Sequence, residues 1–162
     1  MIKPLRAFFD WFRRRPAEAA PVAVPRRHID PLDGRIGFEN DAAGAPTPDL
    51  PVSAELAALI EALVRDTGLA ININSSLGGS HSPRSFHYAG QAVDINRIAG
   101  LRVDDPANAD NVRRFQQAAA AHPAVAECFG PFVNIRKRGV AVEPRPDLLA
   151  MHANHLHISS QT

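Results

Sequence analysis

Five of the seven histidines in this 162-residue chain fall in two short stretches. SFHYAGQAVDI, residues 85–95, holds His87 and, seven positions on, Asp94, with His81 just upstream; HANHLHIS, residues 152–159, holds His152, His155 and His157. Two imidazoles and one carboxylate are the kind of ligand set that a catalytic zinc ion accepts, with a fourth position left for water. The chemistry such a site supports is hydrolysis: the ion lowers the pKa of its water and polarises a carbonyl, while a nearby base moves the proton. Cys128 is the sole cysteine, so neither a thiolate zinc site nor an internal disulfide framework can be built.

The elements around these residues decide whether they can meet. In a strand, side chains alternate between faces. QAVDI therefore puts Ala92 and Asp94 on one face and Val93 and Ile95 on the other; HLHIS puts His155 and His157 opposite Leu156 and Ile158. Each strand has one face suited to a core and one suited to a polar site. If the two strands pair or lie close, Asp94 and the histidines converge, and His87 reaches the same point from the preceding turn. Gly90 gives that turn its dihedral freedom, and Ala92 leaves room beside the ligands. Elsewhere, Ser53 is a plausible N-cap for SAELAALIEALVRDTG, where Leu56, Leu59, Ile60 and Leu63 recur at helical spacing before Gly68 ends the helix. NADNVRRFQQAAAAH, between Pro106 and Pro123, reads as a second helix. LAININSS, AVAECF and FVNIRK are further strand candidates, and the Gly/Ser-rich LGGSHSPRS reads as a loop. The expected fold is α+β, a small single domain over residues 52–162. It has a mainly antiparallel central sheet flanked by helices, with a zinc cleft on one sheet face.

Ser85-x-His87-x-x-Gly90-x-Ala92-x-Asp94, followed late in the chain by His155-x-His157, resembles the zinc peptidases of the D-alanyl-D-alanine carboxypeptidase and dipeptidase type. Phage L-alanyl-D-glutamate endopeptidases, penicillin-insensitive murein endopeptidases and the hedgehog signalling domain share that core. The resemblance extends from near Val52 to the end of the chain and is specific over the two motifs. It implies one zinc ion held by His87, Asp94 and His157. It also implies a substrate class, the peptide stems or crosslinks of peptidoglycan, cut beside a D-amino acid.

One position departs from the pattern. Many such peptidases carry Glu or Asp three residues before the last zinc histidine, where this chain has Asn154, and an amide cannot act as a base. His155 is the best replacement, because imidazole exchanges a proton near neutral pH, and His152 is second. Asp147 and Glu143 read as solvated loop charges. Arg84 is the candidate for stabilising the oxyanion or gripping a substrate carboxylate. Ser85 orients the site or bonds the loop backbone, Tyr88 is placed to line a cleft, and His81 reads as loop or rim, with a substrate role as the alternative. The leading expectation is a zinc metallopeptidase acting on peptidoglycan, as a phage endolysin or a wall-remodelling enzyme. The alternative is a catalytically impaired zinc module that binds cell-wall peptide or a protein partner, and Asn154 is what sustains it. A phosphoesterase with paired H-x-S/T motifs finds only one copy, at His157-Ile158-Ser159.

Charge is divided unevenly: residues 1–27 hold seven Lys/Arg against two acidic residues, and residues 28–162 hold eleven against fifteen. An acidic body gives nucleic acid no footing, since phosphate binding needs a basic surface. Residues 1–15, MIKPLRAFFDWFRRR, form a short basic amphipathic pattern, suited either to packing or fraying at the terminus or to contact with an anionic membrane surface or partner. Asp10 and the late arginines do not fit a classical signal peptide, so action at the cell wall requires release by phage lysis or a non-classical route. Residues 16–51 carry seven of the fourteen prolines and read as a linker or an arm wrapped over the domain. A monomer is expected.

Overall fold

The computed structural model describes residues 24–161 apart from 43, 46, 79 and 80. The basic amphipathic pattern of residues 1–15 and the first part of the Pro-rich segment lie outside the described residues.

Among the described residues, two α-helices form where apolar residues recur at helical spacing. Helix α1 (Ala54–Thr67) begins at Ser53, whose hydroxyl accepts the Leu56 amide at 3.1 Å. It ends at Gly68, where φ is 67° and the amide donates to the Val64 carbonyl, a left-handed cap that favours glycine. Helix α2 (Ala109–Ala121) follows a single 3-10 turn, Pro106–Asn108, and buries Val112, Phe115, Gln116 and Ala119. The buried Asn108 side chain fixes its start by donating to the carbonyls of Ile98, Leu101 and Arg102.

The strands are β1 (Arg26–Arg27), β2 (Ile36–Gly37), β3 (Val52–Ser53), β4 (Ile71–Ser75), β5 (Ala92–Ile98), β6 (Leu101–Arg102), β7 (Val125–Phe129), β8 (Ile135–Arg138), β9 (Ala141–Pro144) and β10 (Leu156–Ser160). The main sheet runs β2-β4-β5-β10-β7-β8-β9, with β6 paired to β5; β1 and β3 pair separately. Only β2 with β4 is parallel. This is an α+β domain with a mainly antiparallel sheet.

Register assigns the two faces of the sheet. Val93 and Ile95 on β5, Leu156 and Ile158 on β10 and Cys128 on β7 join the apolar residues of both helices in one buried cluster. The opposite face carries Ala92, Asp94, His157, Ser159, Glu127, Phe129 and Arg136, which the pairings place side by side across four strands. One face of the sheet is thus core and the other is polar.

The Pro-rich segment is part of this packing. Ile29, Leu32 and Ile36 lie in the same cluster as the helices. Arg27 forks onto the buried Glu61 of α1, and Glu61 also accepts the Asp30 amide at 2.8 Å. Further along, Asp41 accepts from Asn96 at 2.6 Å and from Arg97 at 3.0 Å, while Asn72 bonds both Asn96 and the backbone of Glu39. Among the described residues no helix is long and apolar enough to cross a membrane.

Candidate metal centre

The central β5–β10 pairing sets His157 directly across from Asp94. His87 enters from the turn before β5. That turn closes through Gly90 N–H to the His87 carbonyl and Gln91 N–H to the Phe86 carbonyl, both at 2.9 Å, and Gly90 holds φ at 71°. The three side chains meet at their tips. His87 Nε2 is 3.2 Å from Asp94 Oδ1 and 3.2 Å from His157 Nδ1, and His157 Nδ1 is 3.1 Å from Asp94 Oδ1.

The outer nitrogens fix the tautomers. His87 Nδ1 lies 2.5 Å from the Ser76 carbonyl, which can only accept, so Nδ1 carries the proton and Nε2 turns a lone pair inward. His157 lies between two carboxylates, with Nε2 3.3 Å from Glu127 Oε2 and Nδ1 3.1 Å from Asp94 Oδ1; with a cation at the centre, Nε2 would donate to Glu127 and leave the Nδ1 lone pair for the ion. Two imidazole nitrogens and one carboxylate oxygen therefore face each other at 3.1–3.2 Å, an arrangement that could hold a cation. Without one, a proton must fill the space. Burial lowers the pKa of His157, but its bonds to Asp94 and Glu127 outweigh this and push it up to about 9. Burial raises Asp94, yet the neighbouring imidazoles of His157 and His87 hold it well below the usual carboxylate range.

Glu127 is a site residue that the sequence reading passed over. It sits buried in β7, accepts from Arg136 Nε at 2.6 Å, and with Arg136 and His157 forms a chain of bonds from the β8 edge to the centre. Burial raises its pKa, and the bonds from His157 and Arg136 bring it below the ordinary value. A lone carboxylate inside the otherwise apolar AVAECF was the available signal, since charge is rarely buried without a partner. Phe129, across from His157, stacks on its ring at 5.5 Å with planes 16° apart.

The other expected site residues lie around a cavity of about 880 Å³ over this sheet face, whose wall includes His81, Arg84, Ser85, His152 and His155. His155 Nδ1 is 2.8 Å from Asn154 Oδ1, and His152 Nδ1 is 2.9 Å from the Leu148 carbonyl, so each ring keeps Nε2 as its free acceptor. Burial lowers both pKa values, which favours the neutral rings. The His152 ring lies 5.0 Å from that of His155 and 5.9 Å from that of His157. Ser85 Oγ accepts the His87 amide at 3.3 Å, a bond to the loop backbone. Tyr88 is about half exposed and stands outside the cavity wall; its hydroxyl pairs with both the amide and the carbonyl of His81. Asp147 is bound to Arg145 at 2.7 Å, and Glu143 is exposed on β9.

His81, His87 and Asp94 each offer a ligand atom, all within 4.8 Å of one another, and this group could hold a metal ion. The ring of His81 lies flat on that of His87, with centroids 3.8 Å apart and planes 7° apart, and its Nε2 is 2.9 Å from the Gly78 carbonyl. Imidazole donates in its own plane, and two parallel stacked planes share no point, so His81 must rotate before both rings can serve one ion. His157 is tilted 57° to His87 and meets no such obstacle. No protein-family model matches the chain, and no curated protein shows significant similarity to it.

Proposed function

We propose that this chain is a zinc-dependent peptidase that hydrolyses peptide bonds in the stems or crosslinks of peptidoglycan, with His87, Asp94 and His157 as the ligands of one zinc ion. The observation that carries the metal reading is the triangle formed by His87 Nε2, Asp94 Oδ1 and His157 Nδ1, with edges of 3.1–3.2 Å. Donors bound tetrahedrally to zinc at about 2.0–2.1 Å stand ~3.3 Å apart, so the preformed triangle fits that ion with almost no adjustment. The resemblance of the two motifs to D-alanyl-D-alanine carboxypeptidase-type enzymes supports the substrate class.

Bound there, zinc supplies a Lewis acid and a water of near-neutral pKa. The chain's own residues do the rest. His155, neutral and oriented through Nδ1 by Asn154, accepts a proton at Nε2 and returns it to the leaving amine. Asn154 thus serves as the orienting partner of a histidine base, and His152 is the second neutral imidazole on the same wall. Arg84, exposed on the loop before His87, stabilises the oxyanion or holds a substrate carboxylate. Glu127 holds the ring of His157, and Ser85 holds the backbone of His87.

The test combines metal content with product release. The zinc-loaded chain should free new amino groups from purified peptidoglycan; His155→Ala should stop this with zinc retained, and His157→Ala should lose the zinc itself. His81→Ala should keep it. If His81→Ala loses zinc and His157→Ala does not, the ligand assignment is wrong. Should zinc bind and no amino groups form, the chain is instead a zinc module that binds wall peptide without cutting it.

A further inference from the structure

The ring of His87 takes its direction from a residue that lies beyond the sheet ladder. The β4–β5 pairing ends at Ser75, opposite Asp94, and Ser76 follows it. Ser76 is nevertheless only 1% exposed, and its carbonyl accepts the Nδ1 proton of His87 at 2.5 Å. With no ladder to place it, that carbonyl depends on what holds Ser76. The Ser76 hydroxyl donates to the Pro48 carbonyl at 2.7 Å, a buried bond. Pro48 is itself buried, between exposed Thr47 and Asp49 in the Pro-rich segment. The Leu50 amide donates to the same carbonyl at 2.9 Å, so both of its lone pairs are used and its direction is fixed.

The same segment follows β4 toward the site. Glu39 bonds Asn72 through both its amide and its carbonyl, the Asn40 side chain donates to the Asn74 carbonyl at 3.1 Å, and Pro48 meets Ser76. A second set of contacts reaches the turn that carries His87. Arg26 donates to the Ala89 carbonyl at 3.1 Å, and the Ser53 amide donates to the Gly90 carbonyl at 2.7 Å. The segment thus grips His87 from two sides, at the backbone of its turn and at the carbonyl on which its ring rests. We propose that Ser76, held by Pro48, is a positioning residue of the metal centre, and that the Pro-rich segment sets zinc affinity by this grip on His87. The inference rests on the reading of His87 as a zinc ligand. Without the hydroxyl bond the Ser76 carbonyl is free to turn, the His87 ring gains rotational freedom, and binding the ion must first remove it.

Ser76→Ala removes the hydroxyl bond and leaves the backbone in place. Ser76→Thr keeps the hydroxyl, and a cavity of about 100 Å³ bordered by Ser76 and Pro48 gives its methyl room. Zinc affinity is measured on the full chain by titration against a competing chelator, with folding checked by circular dichroism. Ser76→Ala should weaken zinc about tenfold, the low end for a lost outer partner, and Ser76→Thr should restore most of it. Val112→Ala, a core substitution in α2, should lower stability in urea and leave zinc affinity unchanged. In the zinc-free protein, NMR of the His87 ring N–H should show faster exchange with water in Ser76→Ala. Arg26 is exposed on β1, so Arg26→Ala tests the same grip without touching the core and should also weaken zinc. Unchanged affinity in Ser76→Ala, an equal loss in Val112→Ala, or, if Ser76→Ala does not fold, unchanged affinity in Arg26→Ala would overturn the proposal. The readings fail separately. Zinc lost in His87→Ala but held normally by Ser76→Ala keeps the ligand set and sinks the positioning role, whereas a native chain that binds no zinc sinks both. A tenfold loss in Ser76→Ala, with no amino groups freed even by the native chain, keeps the positioning role and sinks the peptidase.

Discussion

At the centre of the site, the ring of His157 faces two environments, with Nδ1 turned toward His87 and Asp94 and Nε2 toward Glu127. On the proposed ligand set, the carboxylate on the far side would leave Nδ1 for the ion, and Glu127 would act on metal affinity without touching the metal. Glu127→Ala should weaken zinc binding ~10–100-fold, the range typical of lost outer partners, with the fold intact by circular dichroism. Glu127→Gln keeps an acceptor oxygen for Nε2–H and should lose less, which a competitive chelator titration would resolve. Equal loss in both variants would mean that the negative charge matters more than the orientation. His87 has the same kind of partner in the Ser76 carbonyl, which no side-chain substitution removes. The sequence displays the ligand-type residues clearly, because His and Asp in a motif stand out. Their partners were legible only in part, because a backbone carbonyl leaves no mark in the sequence and Glu127 lies thirty residues from His157.

Among the elements, the register of β10 between β5 and β7 does the positioning. A shift of one residue would turn His157 into the core and Leu156 into the cavity. Gly130, just after β7, protects this register by its size. A Cβ there would come 2.5 Å from Gln116 Nε2 and 2.6 Å from Leu156 Cδ2. Gln116 is buried and cannot yield freely, since its amide donates to the Val133 carbonyl at 2.9 Å and its oxygen accepts the Phe132 amide at 3.0 Å. Gly130→Ala should cost ~1–3 kcal/mol in urea unfolding, the usual penalty of overpacking a filled core. It should also weaken zinc binding, because Leu156 adjoins His157; unchanged stability would show that the bend after β7 relaxes. Both helices and most strands were legible from spacing, Ser53 and Gly68 included. The burial of Glu61 was not, because it depends on Arg27 and the Asp30 amide reaching α1 from a segment that the sequence leaves open as linker or arm.

Taken as a whole, the molecule ties its N-terminal segment to the body through ionic groups, and this makes its stability depend on pH. Burial raises the pKa of Glu61, but the Arg27 bond and the Asp30 amide bring it below the ordinary value. A carboxylate with a depressed folded pKa contributes stability that is complete above its unfolded pKa, about 4.3, and is lost as pH falls through the folded value. The difference in unfolding free energy between the native chain and Glu61→Gln should therefore be constant near pH 7 and shrink below about pH 4.3. A difference that does not change with pH would mean that packing, and not charge, joins the segment to α1. Metal linkage offers a second measurement: zinc should raise the unfolding free energy with the logarithm of its free concentration, by about 2.7 kcal/mol at one hundred times Kd, with a matching rise in melting temperature that a chelator should reverse. What the sequence determined by itself was local: helix caps, strand alternation, the absence of a thiolate site, and which residues could ligate an ion. What only the tertiary structure decided was which of them meet. Asp94 and His157 are sixty-three positions apart and become neighbours through strand pairing, and Glu127, Arg136 and Arg138 join their face through two further strands. Local spacing fixes the face on which a side chain lies, while the partner it finds there depends on strand order and register, which arise from packing the whole sheet against the two helices.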